Sequence, residues 1–234
     1  MPVDLEHPNE AALARLDALL AAHEAEWWDT FYEDRAKPCP FFGTAPDESL
    51  ADWVSAGWVR SGRALDLGCG NARNAIFLAR QGYSVDAVDY SPAAINWARE
   101  RAQEAGVDVS LTCKSVFDLG LKAGGYDFVY DSGCFHHIPP HRRARYVELV
   151  SGALKPGGWF GLTCFRPEGG SRLSDDEVYE CRSMGGGLGY TQERLREIWS
   201  RGFHIRTLRQ MRKPAPGSSL FGEPFLWVLL ACKT

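Results

Sequence analysis

The sequence predicts an α/β chain in which a mostly parallel sheet is covered by helices on both faces and preceded by an N-terminal helical cap. Three observations predict it. Short apolar runs recur at 63–67, 84–88, 107–113, 126–130 and 159–165. Helical stretches lie between most of them, at 71–81, 92–105 and 142–154. Strand–helix alternation of this kind buries its strands in a parallel sheet. Before residue 60, by contrast, the apolar spacing is helical.

Taken in order, residues 10–33 read as one helix. Leu13, Leu16, Leu19 and Leu20 recur at helical spacing, and the segment closes on Trp27, Trp28, Phe31 and Tyr32. A Pro/Gly-rich link, 37–46, and a short helix, 47–59, complete a cap over residues 1–59, leaving 60–234 as the α/β unit. The link between the third and fourth runs is short and less helical. Residues 166–189, rich in Gly, Ser and acids, read as a loop or insertion. Thr191 is placed to cap a helix reaching Ser200. Two final runs, 203–209 and 225–232, flank Lys213-Pro-Ala-Pro-Gly-Ser-Ser and read as paired strands joined by a long excursion.

Bulk properties narrow the function. At 234 residues the chain can bury one sizeable core and carry a cap. Its net charge of −4 argues against a duplex nucleic-acid surface, so a small-molecule partner is expected rather than nucleic acid. No apolar run approaches the ~20 residues of a membrane span. The opening MPVDLEHPNE is acidic and polar, unlike a signal peptide. The seven cysteines are scattered, odd in number and without a CxxC pair, which suits a reducing, cytoplasmic compartment. Oligomeric state leaves no mark on the sequence.

The stretch Ala64-Leu-Asp66-Leu-Gly68-Cys69-Gly70-Asn71-Ala72-Arg73-Asn74 carries the chemistry. An apolar run ending in an acid and two glycines, then entering a helix, brings backbone N–H groups close to a ligand, because no Cβ blocks the approach. A dinucleotide fingerprint would need a small residue at 73. Arg73 there suits a carboxylate instead, as does the helix N-terminus. About twenty residues after the glycines, the second run ends in Asp89, which can accept both hydroxyls of a ribose or cap the helix begun at Ser91-Pro92. A ribose clamp, close backbone and a carboxylate partner match a nucleoside joined to an amino acid. S-adenosylmethionine is such a molecule.

Four motifs strengthen this reading: Asp66-Leu-Gly68-Cys-Gly70, Val85-Asp86-Ala-Val-Asp89, Tyr126-Asp127-Phe-Val-Tyr-Asp131 and Leu154-Lys-Pro-Gly-Gly158. In order and spacing they resemble the class I S-adenosylmethionine-dependent methyltransferases over roughly residues 60–166. Gly68-Cys-Gly-Asn-Ala-Arg-Asn74 is similar to the tellurite-resistance methyltransferases. The aromatic N-terminal helix and Asp131-Ser-Gly-Cys-Phe-His136-His137-Ile-Pro-Pro are similar to the thiopurine and thiol methyltransferase branch. The resemblance implies a Rossmann-like fold, a seven-stranded sheet with an antiparallel last strand, S-adenosylmethionine as donor and S-adenosylhomocysteine as product. It also implies roles. Gly68 and Gly70 lie against the methionine part, with Asp66, Cys69, Asn71, Arg73 and Asn74 beside them. Asp89 takes the ribose, and Tyr90 lies near the adenine. Ser115 and Val116 meet the adenine edge, and Asp131 and Ser132 face the sulfonium. Two positions depart from the pattern: Ala72 replaces a third glycine, and Ser115 replaces an acid, for which Asp118 offers a substitute.

For catalysis, His136 is the first candidate base and Asp131 the second. Trp28, Tyr32, Phe41, His136, Arg166 and Tyr190 are the candidate acceptor-binding residues. The aromatic set from Trp27 to Phe42 reads either as plain core or as a lid that excludes water from a sulfonium. Arg142 and Arg143 read as solvated helix residues, and His141 as a helix starter. Asp131, Cys134, His136, His137 and His141 could be called zinc ligands, but a His-rich turn here is common in the resembled superfamily without metal, and none is expected. The expected reaction is methyl transfer to a small acceptor, a thiol or other soft nucleophile. The alternative is a peptide or natural-product intermediate methylated on N or O.

Overall fold

The structure, a computed structural model, describes residues 10–20 and 24–234. The expected helix over 10–33 is described as two, α1 (Glu10–Leu20) and α2 (Glu24–Glu33), and its middle, 21–23, lies outside the described residues. A 3-10 turn, Pro40–Phe42, leads to α3 (Glu48–Ser55). The α/β unit then runs β1 (Arg63–Leu67), α4 (Arg73–Arg80), β2 (Ser84–Asp89), α5 (Pro92–Ala105), β3 (Ser110–Cys113), β4 (Tyr126–Ser132), α6 (Arg143–Ala153) and β5 (Leu154–Phe165). It closes with α7 (Asp175–Cys181), α8 (Gln192–Trp199), β6 (Phe203–Gln210) and β7 (Leu226–Lys233).

The seven strands form one sheet in the order β3-β2-β1-β4-β5-β7-β6. β1 to β5 pair in parallel, and β7 lies antiparallel between β5 and β6. The strand order reverses between β1 and β4. In an open α/β sheet that reversal opens a crevice at the carboxyl ends of the strands. Side chains alternate across the sheet: Leu65, Leu67 and Val129 pack into one core with Phe160, Leu162 and Trp199. Ala64, Phe128 and Tyr130 pack into the other with Leu50, Trp53 and Leu78.

Local chemistry sets the boundaries. α5 starts where the Ser91 side chain accepts from the Ala94 amide with Pro92 at the first turn, and it stops at Gly106 in the left-handed region. The Val107 amide still bonds the Ala102 carbonyl. The helix exit therefore takes residues the sequence gives to β3, which begins at Ser110 rather than 107. β5 begins at Leu154, five residues before the expected start, and pairs with Tyr126 before a register shift to Phe128 and Trp159. The insertion contains α7, whose Ser174 and Glu177 form a reciprocal capping box. No described helix is long and apolar enough to cross a membrane.

Candidate functional site

The crevice is built first by the loop after β1. Gly68 (φ 66°) and Gly70 (φ 53°) both adopt left-handed backbone. A Cβ on Gly68 would stand 2.7 Å from the Cys134 Cβ, and one on Gly70 2.5 Å from the Tyr32 hydroxyl. The glycines thus let the turn after β4 and helix α2 close on the loop from two sides. Asn71 donates its side-chain amide to the Phe41 and Phe42 carbonyls, fastening the 3-10 turn to the same loop. At the end of β2, one Asp89 oxygen accepts from the Gly70 amide (2.9 Å) and the other from the Ser91 amide (3.0 Å). Asp29 of α2 accepts from Ser91 Oγ and the Ala93 amide. Tyr90 is exposed beside this tip. Ser115, across from it, caps the short turn Val116–Asp118 by accepting from the Phe117 amide.

Four carboxylates sit buried at these strand ends: Asp47, Asp66, Asp89 and Asp131. Asp47, from the segment before α3, is 0% exposed. It pairs with the Arg73 guanidinium (2.6 Å) and accepts from Tyr130 Oη (2.5 Å), Ser132 Oγ (2.6 Å) and Asn74 Nδ2 (3.3 Å). Arg73 also donates to the Ala45 carbonyl and Ser132 Oγ, and lies over the Phe221 ring. Arg73, expected to suit a ligand carboxylate, meets one of the chain's own here. Asp131 is engaged as well. Its oxygens accept from the Cys134 and Phe135 amides and from Tyr146 Oη (2.5 Å), so it braces the turn after β4 from inside the core. Asp66 is 1% exposed, and its Oδ1 has no hydrogen-bond partner; the Asp47 Oδ1 has none either but faces the Arg73 guanidinium.

Burial pushes the Asp66 carboxyl up to about 8, with Arg73 opposing and Asp47 and Asp131 adding to the rise. Burial also lifts Asp131 to about 7 against its hydrogen bonds. Burial acts oppositely on the adjacent imidazoles, holding His136 well below its ordinary range and His137 at about 4. These shifts fix the pH dependence of stability. Raised acids lose stability as pH rises from the unfolded carboxylate range, about 4, through their folded values; depressed histidines lose it as pH falls below about 6.5. The two trends oppose each other between about 4 and 6.5. Above that window the acids act alone, so the melting temperature of the ligand-free protein is expected to fall from pH 6.5 to 8. Asp66→Asn should flatten that slope in a thermal scan; an unchanged slope would assign it to other groups.

The turn Phe135–His137 places the two imidazoles. His136 is buried, stacks on Phe165 at 3.7 Å, and its Nδ1 accepts from the Phe165 amide. In a neutral ring that bond leaves the proton on Nε2, so neither nitrogen is free to take another. His136, the first candidate base, is thus engaged through Nδ1 in this structure. His137 meets Trp28 edge-on at 4.7 Å. The insertion folds back onto this turn: the Leu188 amide donates to the His136 carbonyl, and the Gly187 backbone packs against both imidazoles and Phe165. Trp28, His137 and Phe165 are thereby brought together.

Other candidates lie elsewhere. Tyr190 is buried against Phe135 and under the Arg143 guanidinium, which makes it core rather than acceptor surface. Arg166 donates to the Pro224 carbonyl and lies over Trp227, anchoring the start of β7. Tyr32 and Phe41 join a ring cluster with Phe31 and Phe42, so these rings pack as core among themselves. Arg143 and Arg142 are not solvated: they pair with Asp175 of α7 and Asp17 of α1. His141 does more than start a helix. Its Nε2 meets Asp17 (2.8 Å) and its Nδ1 the Tyr179 hydroxyl (3.0 Å), joining α1 to α7. Among the described residues, no three His, Cys, Asp or Glu side chains converge as metal ligands. Sequence reasoning missed Asp47, whose only local signal is its place before a helix start.

Residues 64–158 match the methyltransferase-domain family. The methyltransferase match spans β1 to the start of β5, hence the glycine loop, Asp89 and Asp131, and leaves the cap, the insertion and the last two strands outside. The chain is 30% identical over 154 residues to a ubiquinone biosynthesis O-methyltransferase of Bordetella avium, covering 64% of this chain and 59% of that protein. It is 30% identical over 121 residues to a 2-heptyl-1-hydroxyquinolin-4(1H)-one methyltransferase of Mycobacteroides abscessus, covering 51% and 53%. The chain thus spans just over half the length of these relatives. Among solved structures, the Burkholderia thailandensis 1,6-didemethyltoxoflavin-N1-methyltransferase, with bound 1,6-didemethyltoxoflavin and S-adenosylhomocysteine, superposes with a TM-score of 0.70 at 23% identity, covering 97% of this chain and 93% of that one. The fold is that of the Rossmann-like methyltransferases.

Proposed function

We propose that this chain is an S-adenosylmethionine-dependent methyltransferase acting on a small molecule whose acceptor atom needs no strong base. One observation carries the reading. The Gly68–Gly70 loop is tied by its amide to the Asp89 carboxylate, above a buried Asp66 oxygen that lacks a partner. Such a set fits the donor: an orphaned carboxylate oxygen suits an ammonium group, and an aspartate at the β2 tip suits ribose hydroxyls. When bound, S-adenosylmethionine supplies a methyl group on a positively charged sulfur.

The chain's own residues do the rest. Gly68, Cys69, Gly70 and Asn71 form the floor for the methionine part, with Asp66 beneath and Asn74 behind. Asp89 accepts from the ribose, while Tyr90, Ser115 and Val116 frame the adenine. Ser132 stands at the β4 tip. Trp28, Tyr32 and Phe41 exclude water, and Trp28, His137 and Phe165 offer flat walls to the acceptor. Since His136 and Asp131 are already engaged, the acceptor must be nucleophilic as it arrives. A thiolate or another soft nucleophile meets that demand, in keeping with the resembled thiol and tellurite-resistance branch. The aromatic walls support a second reading, a planar natural-product intermediate methylated on N or on an acidic O. No nucleic-acid partner is proposed, and the seven free cysteines fit a reducing, cytoplasmic compartment.

The test is release of S-adenosylhomocysteine across thiols, selenite, tellurite, thiopurines, phenols and amines. Turnover confined to sulfur and selenium acceptors supports the first reading, and turnover on planar phenols or ring nitrogens supports the second. Silence with every acceptor and no donor binding refutes both. His136→Ala is expected to lower kcat by no more than about tenfold, far less than the 10²–10⁴ of a lost general base. A thousandfold loss with donor binding intact would restore His136 as the base.

A further inference from the structure

Asp47 lies outside the region of family similarity, yet it is the most fully engaged carboxylate of the site. Helix α4 begins at Arg73, immediately after the glycine loop. A cation there opposes the helix dipole, whose N-terminal end is already positive. Left alone, Arg73 would make the loop a strongly positive place. The Asp47–Arg73 pair is almost completely buried, with side chains 0% and 7% exposed, and such pairs add little net stability over apolar neighbours. Its position needs another explanation.

Charge counting offers one. Asp47 and Arg73 cancel, and Ser132, which donates to Asp47, turns its lone pairs to Arg73. What remains at the strand ends is Asp89, with no further cation among its hydrogen-bond partners; Asp66 and Asp131, raised by burial to about 8 and about 7, add charge only as they deprotonate. The methyl donor carries a carboxylate, an ammonium and a sulfonium, a net charge of +1. Its product, a thioether, is neutral overall. We infer that Asp47 sets the charge of the donor site: by cancelling Arg73 it lets the site favour the sulfonium donor over the thioether product. This rests on the function proposed above. It makes Asp47 a positioning residue that acts through Arg73 and Ser132.

Calorimetric titration of the full chain with S-adenosylmethionine and S-adenosylhomocysteine tests it without turnover. Asp47→Asn keeps the shape and unmasks Arg73. It should weaken the donor at least about tenfold more than the product, because only the donor's net charge feels the new cation. The double variant Asp47→Asn/Arg73→Met replaces a neutral pair by a neutral pair, a change that buried ion pairs tolerate, and should keep the wild-type affinity ratio within about threefold by the same reasoning. It also keeps the test alive if the single variant does not fold. Glu48→Gln loosens the same segment from its other side, where Glu48 holds Arg209 and Arg212; it should lower stability and leave the ratio unchanged. Equal weakening of both ligands by Asp47→Asn, no weakening, or a collapsed ratio in the double variant would overturn the inference. Wild-type protein that binds neither ligand would instead refute the proposed function.

Discussion

Asp89→Ala is expected to raise the dissociation constant for S-adenosylhomocysteine about a hundredfold or more. Two charge-assisted hydrogen bonds to ribose hydroxyls, each worth ~1.5–3 kcal/mol, would be lost together. The loss extends to the loop, because the same carboxylate holds the Gly70 amide that shapes the floor of the site. Asp89→Asn should sit between wild type and alanine, since an amide accepts through one oxygen only. Titration calorimetry on folded protein, checked by circular dichroism, separates affinity from stability. Unchanged affinity in the alanine variant would remove Asp89 from the ribose and leave it a structural brace.

The second large effect is on stability. Asp131→Ala strips the Cys134 and Phe135 amides and the Tyr146 hydroxyl of their common acceptor, all inside the core. Unsatisfied buried donors cost ~1–3 kcal/mol each. Relaxation recovers part of the cost, so a net loss of about 3–5 kcal/mol is expected in urea unfolding. The folded fraction should keep turnover within about tenfold, well short of a missing base. A variant of wild-type stability with turnover reduced a thousandfold would reverse the assignment.

These two aspartates show what the sequence can and cannot disclose. The place of Asp89 is legible because it follows from local order: a strand end, a fixed distance from the glycines, a helix start at Ser91-Pro92. The bounds of α5 and β1 were legible for the same reason, since capping residues and apolar runs act over a few positions. The bond from Tyr146 to Asp131 is not legible, because Tyr146 lies on another element and only packing brings the two together. Asp47 and His141 were opaque in the same way: their partners stand 26 to 124 positions away. Helix α7 was missed although Ser174 and Glu177 spell a capping box. Seven residues among glycines and acids leave little periodicity to detect.

The sheet order carries a consequence for how the molecule is made. β7 is the last strand in the chain, yet it occupies the slot between β5 and β6. During synthesis the five parallel strands emerge first, with the glycine loop and Asp89 among them, and domains tend to fold from the N-terminal side. β6 follows but finds no neighbour, because its partner is β7, a strand not yet made, which also fills the place beside β5. Until β7 arrives, β5 presents an open edge, the kind of surface that recruits foreign strands. The parallel half of the sheet, with the glycine loop, is thus assembled early, and its protection from aggregation comes late.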